Sequence, residues 1–107
     1  MKITKVIGYS LSSPFKSNVK YFGYSDLVKN IGIVEVHTNS GIVGYGETYS
    51  GVYCSELVYP VVEYLNKFLI GKDVYELFNI NKLPFIGRSG LIKSVFSGVE
   101  IAIFDII

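Results

Sequence analysis

"VEVHTNSGIVGYGET", residues 34–48, decides the first half of the fold. Residues 31–38 are rich in β-branched side chains, which favour a strand. A second candidate strand, residues 43–49, follows the short polar segment "NSG". Gly41 in that segment can take the positive φ that a short hairpin requires. The pattern therefore predicts two antiparallel strands joined by a tight turn.

At the start of the chain, apolar and polar residues alternate. Residues 2–9 place Ile3, Ile7 and Tyr9 on one side, which predicts a first strand beside the hairpin. The following stretch, "SLSSPFKSNVKYFGYSD" (residues 10–26), is polar and serine-rich and predicts a long loop. We expect a three-stranded antiparallel sheet with one face available to helices.

The second half of the chain changes to helical spacing. One apolar stripe predicts a helix that ends at Gly71, with Pro60 near its first turn. Its members are Leu57, Val58, Val61, Val62, Leu65, Phe68 and Leu69. Asp73 is an N-cap candidate for a short helix closed by Pro84, and Ser89 or Gly90 opens a final helix. The fold class is α+β, a three-stranded antiparallel sheet followed by a bundle of about three helices.

The final helix is apolar on two sides. One broad face suits the domain's own core, whereas Ile101 and Phe104 project from the far side, beside small residues such as Ser97. Leaving these two side chains in water forgoes roughly 1.5–3 kcal/mol each. The short helix or the loop of residues 10–26 could cover them. We favour a neighbour outside these residues.

Composition excludes several classes of function. A chain of 107 residues is one domain, and its net charge of +1 has no clustered basic stripe, which argues against nucleic acid. No apolar run approaches the ~20 residues that span a bilayer, so no membrane partner is expected. Cys54 is the only cysteine, and the start of the chain lacks a signal-peptide pattern, so we expect a cytoplasmic protein.

Four strings in this order resemble the N-terminal capping domain of the enolase superfamily, in its mandelate racemase and muconate lactonizing enzyme branch. They are "MKITKV" (residues 1–6), "VEVHTNSGIVGYGET" (34–48), "FLIGKD" (68–73) and "SGVEIAIFDII" (97–107). The resemblance covers nearly the whole chain as a single capping domain. It implies that a β/α barrel, which carries the catalytic groups, would follow Ile107.

The resemblance implies a Mg²⁺-dependent enzyme that removes the proton α to a carboxylate. Dehydration of a sugar acid is the preferred reaction, and epimerisation, racemisation and cycloisomerisation remain open. The expected partners are the barrel, a small carboxylate substrate and further copies in a homo-oligomer. Catalytic groups and metal ligands would lie on the barrel, so none is assigned here, and this chain should be inactive alone.

Two further sets of residues follow from the resemblance. Substrate lids would fall after the first and third strands, with Lys20, Tyr21, Tyr24, Tyr49, Ser50 and Tyr53 as candidates. The domain junction would involve Ser97, Glu100, Ile101, Phe104 and Asp105. The alternative reading is a stand-alone interaction module that self-associates through its C-terminal helix.

Overall fold

A computed structural model describes residues 1–21, 24–77 and 89–107, with side chains described outside residues 14–29. Six elements follow one another along these residues: β1 (Ile3–Tyr21), β2 (Tyr24–Thr38), β3 (Val43–Thr48), α1 (Ser50–Tyr53), α2 (Ser55–Leu69) and α3 (Gly90–Ile106). The predicted α+β fold, with a three-stranded antiparallel sheet followed by helices, is confirmed.

The sheet has the order β1-β2-β3, and both pairs are antiparallel. At the predicted hairpin turn Gly41 has φ 85°, and the Thr38 amide donates to the Ile42 carbonyl at 3.1 Å. β3 ends at Thr48, opposite Gly32 of β2. The turn chemistry that the sequence predicts is therefore the one that joins these strands.

The predicted loop over residues 10–26 is wrong where the structure describes it. β1 and β2 stay paired from Ser10 and Gly32 to Tyr21 and Tyr24, with a shift of register between Pro14 and Val19. This two-stranded extension, which we call the arm, continues past the end of β3. Strand pairing depends on backbone hydrogen bonds, so a polar, serine-rich sequence can still form it.

α2 lies across β1 and ends where the sequence predicts. Four side chains of its stripe are fully or almost fully buried, namely Val58, Val62, Leu65 and Leu69. Gly71 has φ 86°, and its amide donates to the Ile3 carbonyl at 2.8 Å. The expected start was wrong, because α2 begins at Ser55 and Pro60 lies inside it. Pro60 is on the exposed side, so the missing N–H disturbs no core contact.

α3 begins as predicted and lies on β3. The Ser89 hydroxyl accepts a hydrogen bond from the Ile92 amide at 3.3 Å, which is an N-cap. A Cβ placed on Gly46 would lie 1.9 Å from the Gly98 carbonyl oxygen, and one on Gly44 would lie 2.0 Å from that of Ala102. The helix can approach the strand this closely only because those strand positions are glycines.

The core lies between the sheet and the two long helices. Its largest fully buried member is Phe96, which shares one buried cluster with valines of the sheet and of α2 such as Val6, Val34 and Val62. At the Asp73 turn, the carboxylate accepts from the Tyr75 amide at 2.9 Å. The rest of the short helix predicted there lies outside the described residues. No helix in the described part of the chain is long and apolar enough to cross a membrane.

Candidate functional site

The outer side of α3 is the first candidate surface. Valine, phenylalanine and alanine side chains on the other side of the helix are buried against the sheet and α2, whereas Ile101 is 48% exposed and Phe104 is 63% exposed. Ser97, one turn before Ile101, is exposed too. A helix with large apolar side chains on its solvent side fits a position between two layers.

Two carboxylates flank this surface and differ in their surroundings. Glu100 is half-buried, and desolvation raises the pKa of its carboxyl, an effect that Lys93 partly offsets. Asp105 is exposed and accepts a hydrogen bond from the Tyr45 amide at 2.9 Å. That N–H points away from β2 at the free edge of β3, so Asp105 occupies a site where another strand could otherwise add.

The predicted second lid begins with a turn of helix, α1, that the sequence did not indicate. Tyr49 and Tyr53 flank this turn on the surface, 65% and 44% exposed. Their rings meet edge to face with centroids 5.0 Å apart, and their hydroxyl oxygens lie 2.6 Å apart. Paired hydroxyls of this kind can donate to and accept from a polar ligand.

Ser50 does not join the two tyrosines at the surface. It is 7% exposed, and its hydroxyl donates to the Ser94 hydroxyl at 2.7 Å. The Thr48 hydroxyl donates to the Ser94 carbonyl at 2.9 Å. Sequence reasoning missed Ser94 as an anchor of α1. The sequence hint for this role of Ser94 was that it is a small polar residue on a mainly apolar helix.

The base of the arm meets α1 and α2 at one end of the sheet. A Cβ on Gly51 would lie 2.0 Å from the Gly32 amide nitrogen, so α1 touches the backbone of β2. The Ser10 hydroxyl donates to the Ser55 carbonyl at 2.9 Å. Both predicted lid segments therefore begin at the same end of the domain.

The first lid candidates lie farther along the arm. In the strand register Lys20 is paired with Ser25, and Tyr21 with Tyr24. Their side chains lie outside the described part, so their proposed contacts stay predictions. Among the described residues, no group of three or more His, Cys, Asp or Glu side chains could hold a metal ion. These residues do not fit a magnesium site, and no catalytic step through Mg²⁺ is assigned to them.

Comparison with known proteins identifies sugar acid dehydratases among the relatives. No protein-family model matches the chain. D-xylonate dehydratase from Haloferax volcanii is 34% identical over 80 residues, which cover 69% of this chain and 18% of that protein. L-rhamnonate dehydratase from Saccharopolyspora erythraea is 31% identical over 80 residues, covering 70% of this chain and 20% of that protein.

Solved structures match nearly the whole chain. A member of the enolase superfamily from Polaromonas sp. JS666 has a TM-score of 0.79 at 25% identity and covers 99% of this chain. A mandelate racemase-like protein from Bordetella bronchiseptica, complexed with 2-oxoglutarate/phosphate, has a TM-score of 0.78 at 30% identity and covers 98%. The chain belongs to the enolase superfamily. It is an N-terminal capping domain of the mandelate racemase and muconate lactonizing enzyme branch.

The capping domain is a minor part of each relative. It spans about a fifth of the two dehydratases and about 30% of the two matched structures. L-talarate dehydratase from Polaromonas sp. JS666, solved with Mg and L-glucarate, shares the fold with a TM-score of 0.79 at 22% identity over 98% of this chain and 31% of that protein.

Proposed function

We propose that this domain closes over the active site of a complete mandelate racemase-like enzyme and helps to select its substrate. In this proposal a β/α barrel outside these residues carries the catalytic groups and packs on the outer side of α3. The observation that carries the proposal is Ile101, a large apolar side chain that is 48% exposed on the side of α3 away from the core. Burial of Ile101 against another layer would recover its hydrophobic free energy.

The complete enzyme would abstract the proton α to a carboxylate, with Mg²⁺ offsetting the negative charge that develops on the substrate. We favour dehydration of a sugar acid, in which an acid group of the barrel would protonate the β-hydroxyl so that it leaves as water. Support comes from the two relatives above 30% identity, which are named for D-xylonate and L-rhamnonate. The 107-residue chain would be inactive alone, because metal ligands and bases would come from the barrel.

Within this proposal α1 and the arm act as lids. Tyr49 and Tyr53 present hydroxyls from a turn that is fixed to β2 and α3. Lys20, Tyr21 and Tyr24 would contribute from the arm. A polyhydroxy acid carries many hydroxyls and one carboxylate, which fits donors of this kind. Closing lids would exclude water from the reaction.

The proposal is tested with the complete gene product, assayed with Mg²⁺ on D-xylonate, L-rhamnonate and other sugar acids. Substituting Tyr49→Phe and Tyr53→Phe together should raise KM several-fold, since two hydroxyls that contact substrate are lost. Tyr59→Phe is the matched control, because Tyr59 is 59% exposed on α2 and is not part of the pair. Activity in the isolated chain, or equal KM values in all variants, would refute the proposal.

A further inference from the structure

The segment that joins β3 to α1 is held at one residue of α3. Thr48 is the last residue of β3 and Ser50 is the first residue of α1, so they lie on either side of Tyr49. The Thr48 hydroxyl donates to the Ser94 carbonyl at 2.9 Å, and the Ser50 hydroxyl donates to the Ser94 hydroxyl at 2.7 Å. Both chain neighbours of Tyr49 are therefore bound to Ser94.

The two hydrogen bonds lie inside the domain, whereas Tyr49 itself lies outside. Thr48 and Ser50 are buried, Ser94 is half-buried and Tyr49 is exposed. A hydrogen bond between buried groups does not compete with water, so it holds its geometry better than a contact at the surface. The position of the exposed Tyr49 side chain therefore depends on the buried residues next to it in the chain.

The same contact supports Tyr53 through the turn of α1. The Val52 amide donates to the Tyr49 carbonyl at 3.0 Å, and the Cys54 amide donates to the Ser50 carbonyl at 2.8 Å. A helix of four residues is too short to be stable in water without tertiary contacts. α1 has such contacts with the backbone of β2 on one side and with Ser94 of α3 on the other.

We propose that Ser94 is a positioning residue, which through Ser50 holds α1 in the orientation that presents the Tyr49 and Tyr53 hydroxyls to the substrate. This inference rests on the proposed function, in which those two hydroxyls bind a sugar acid. Ser94 acts by accepting the hydrogen bond from Ser50 and not by contact with the substrate. Its effect is on how tightly the sugar acid is bound.

Ser94→Ala isolates this one interaction. The backbone carbonyl that accepts from Thr48 remains, so the end of β3 keeps its hydrogen bond. The Ser50 hydroxyl loses its acceptor, and an unsatisfied donor in a buried place is unfavourable. The hydroxyl regains a partner when α1 moves toward water, and that movement displaces Tyr49 and Tyr53.

The first experiment measures the kinetics of the complete gene product with Mg²⁺ on D-xylonate and on L-rhamnonate. Ser94→Ala should raise KM roughly threefold to tenfold with little change in kcat, because substrate-binding groups are misplaced. Ser50→Ala should raise KM by the same factor, and combining the two should add nothing, since each removes the same hydrogen bond. In a Tyr49→Phe, Tyr53→Phe background, Ser94→Ala should have no further effect.

The second experiment follows hydrogen exchange of the same complete protein by mass spectrometry. Residues 50–54 should exchange faster in Ser94→Ala, whereas the segment of α2 should not change, because the loosening is local. Asn66→Ala is the control for lowered stability. It removes two hydrogen bonds between α2 and β1, far from α1 in the sheet, and should leave KM and the exchange of residues 50–54 as in the wild type.

Several results would overturn the proposal. They are unchanged exchange of residues 50–54 in Ser94→Ala, a rise in KM that Asn66→Ala reproduces, and additive effects of Ser94→Ala and the two tyrosine substitutions. A wild-type KM in the Tyr49→Phe, Tyr53→Phe variant would refute the proposed function of the lid instead. Faster exchange in Ser94→Ala would then show that Ser94 only stabilises the fold of α1.

Discussion

At Gly46 the last helix and the sheet touch through their backbones. We predict that Gly46→Ala destabilises the domain by about 3 kcal/mol, because its Cβ would meet the Gly98 carbonyl at 1.9 Å and the Ala102 amide nitrogen at 2.8 Å. Both obstructing atoms are backbone, which cannot move aside like a flexible side chain. Urea unfolding of the wild type and of the Gly46→Ala variant measures the difference in unfolding free energy.

Gly90→Ala is the matched control for this substitution. Gly90 is the first residue of α3, and a Cβ there would meet nothing within 4 Å. Its effect should stay within about 0.5 kcal/mol. Equal effects at the two positions would show that close backbone packing does not hold α3 on β3.

Glu100 gives a prediction for the dependence of stability on pH. Its pKa is raised above the ordinary 4.5, mainly by desolvation, so the folded state binds the proton more readily than the unfolded chain. The unfolding free energy therefore falls as pH rises from that ordinary value through the raised one. Glu100→Gln should stabilise the isolated chain at pH 7 and lose this advantage below about pH 4.

Denaturant unfolding at both pH values measures the change in unfolding free energy on Glu100→Gln. Glu76→Gln, at an exposed position, is the control. A Glu100→Gln variant that is less stable than the wild type at pH 7 would mean that the charged carboxylate stabilises the fold, against our account.

For single residues, the sequence predicted those structural roles that depend only on neighbours in the chain. Gly41, Gly71 and the Ser89 cap follow from turn and capping rules that involve neighbouring residues. The burial of Ser50 could not be read in the same way. It depends on Ser94, 44 positions away in the chain, whose hydroxyl accepts its hydrogen bond.

At the scale of elements, the edges of the sheet are occupied by helical side chains. Asn66 of α2 accepts from the Val6 amide at 3.1 Å and donates to the Val6 carbonyl at 3.0 Å, at the free edge of β1. Asp105 of α3 accepts a hydrogen bond from the Tyr45 amide of β3. Both contacts disfavour edge-to-edge association at these positions.

We predict that Asn66→Ala costs about 2 kcal/mol of stability, since two hydrogen bonds to one strand residue are lost at about 1 kcal/mol each. Thermal and urea unfolding of the chain measure the cost. Glu63→Gln is the matched control, because it keeps both hydrogen bonds between Asn66 and Val6 and alters only the 3.5 Å contact between Asn66 and Glu63. Its cost should stay within about 0.5 kcal/mol, and a cost equal to that of Asn66→Ala would contradict the pairwise account.

The arm shows why elements are harder to predict than local turns. Residues 10–26 lack the apolar alternation that identified the first part of β1. Pairing with the opposite strand is a long-range backbone property. The order of the three strands and two long helices was predictable, whereas α1 and the length of β1 and β2 were not.

At the scale of the whole molecule, two large apolar surfaces remain on one small domain. The outer side of α3 could be predicted, since helical spacing separates Ile101 and Phe104 from the core positions. The apolar side of the sheet that faces away from the helices could not be predicted, because its extent depends on the strand register that brings Ile7, Tyr9 and Ile33 together. We assign the outer side of α3 to the junction with a catalytic barrel proposed above.

Substitution of Ile101 by Glu tests the central claim, that α3 is a junction between two domains. The measurement is the change in unfolding free energy on Ile101→Glu, made both in the 107-residue chain and in the complete gene product. We predict a change within about 0.5 kcal/mol in the isolated chain, where the side chain is 48% exposed. In the complete protein we predict a loss of about 2 kcal/mol or more, since the charge would be buried at the junction. The same small change in both proteins would contradict the claim.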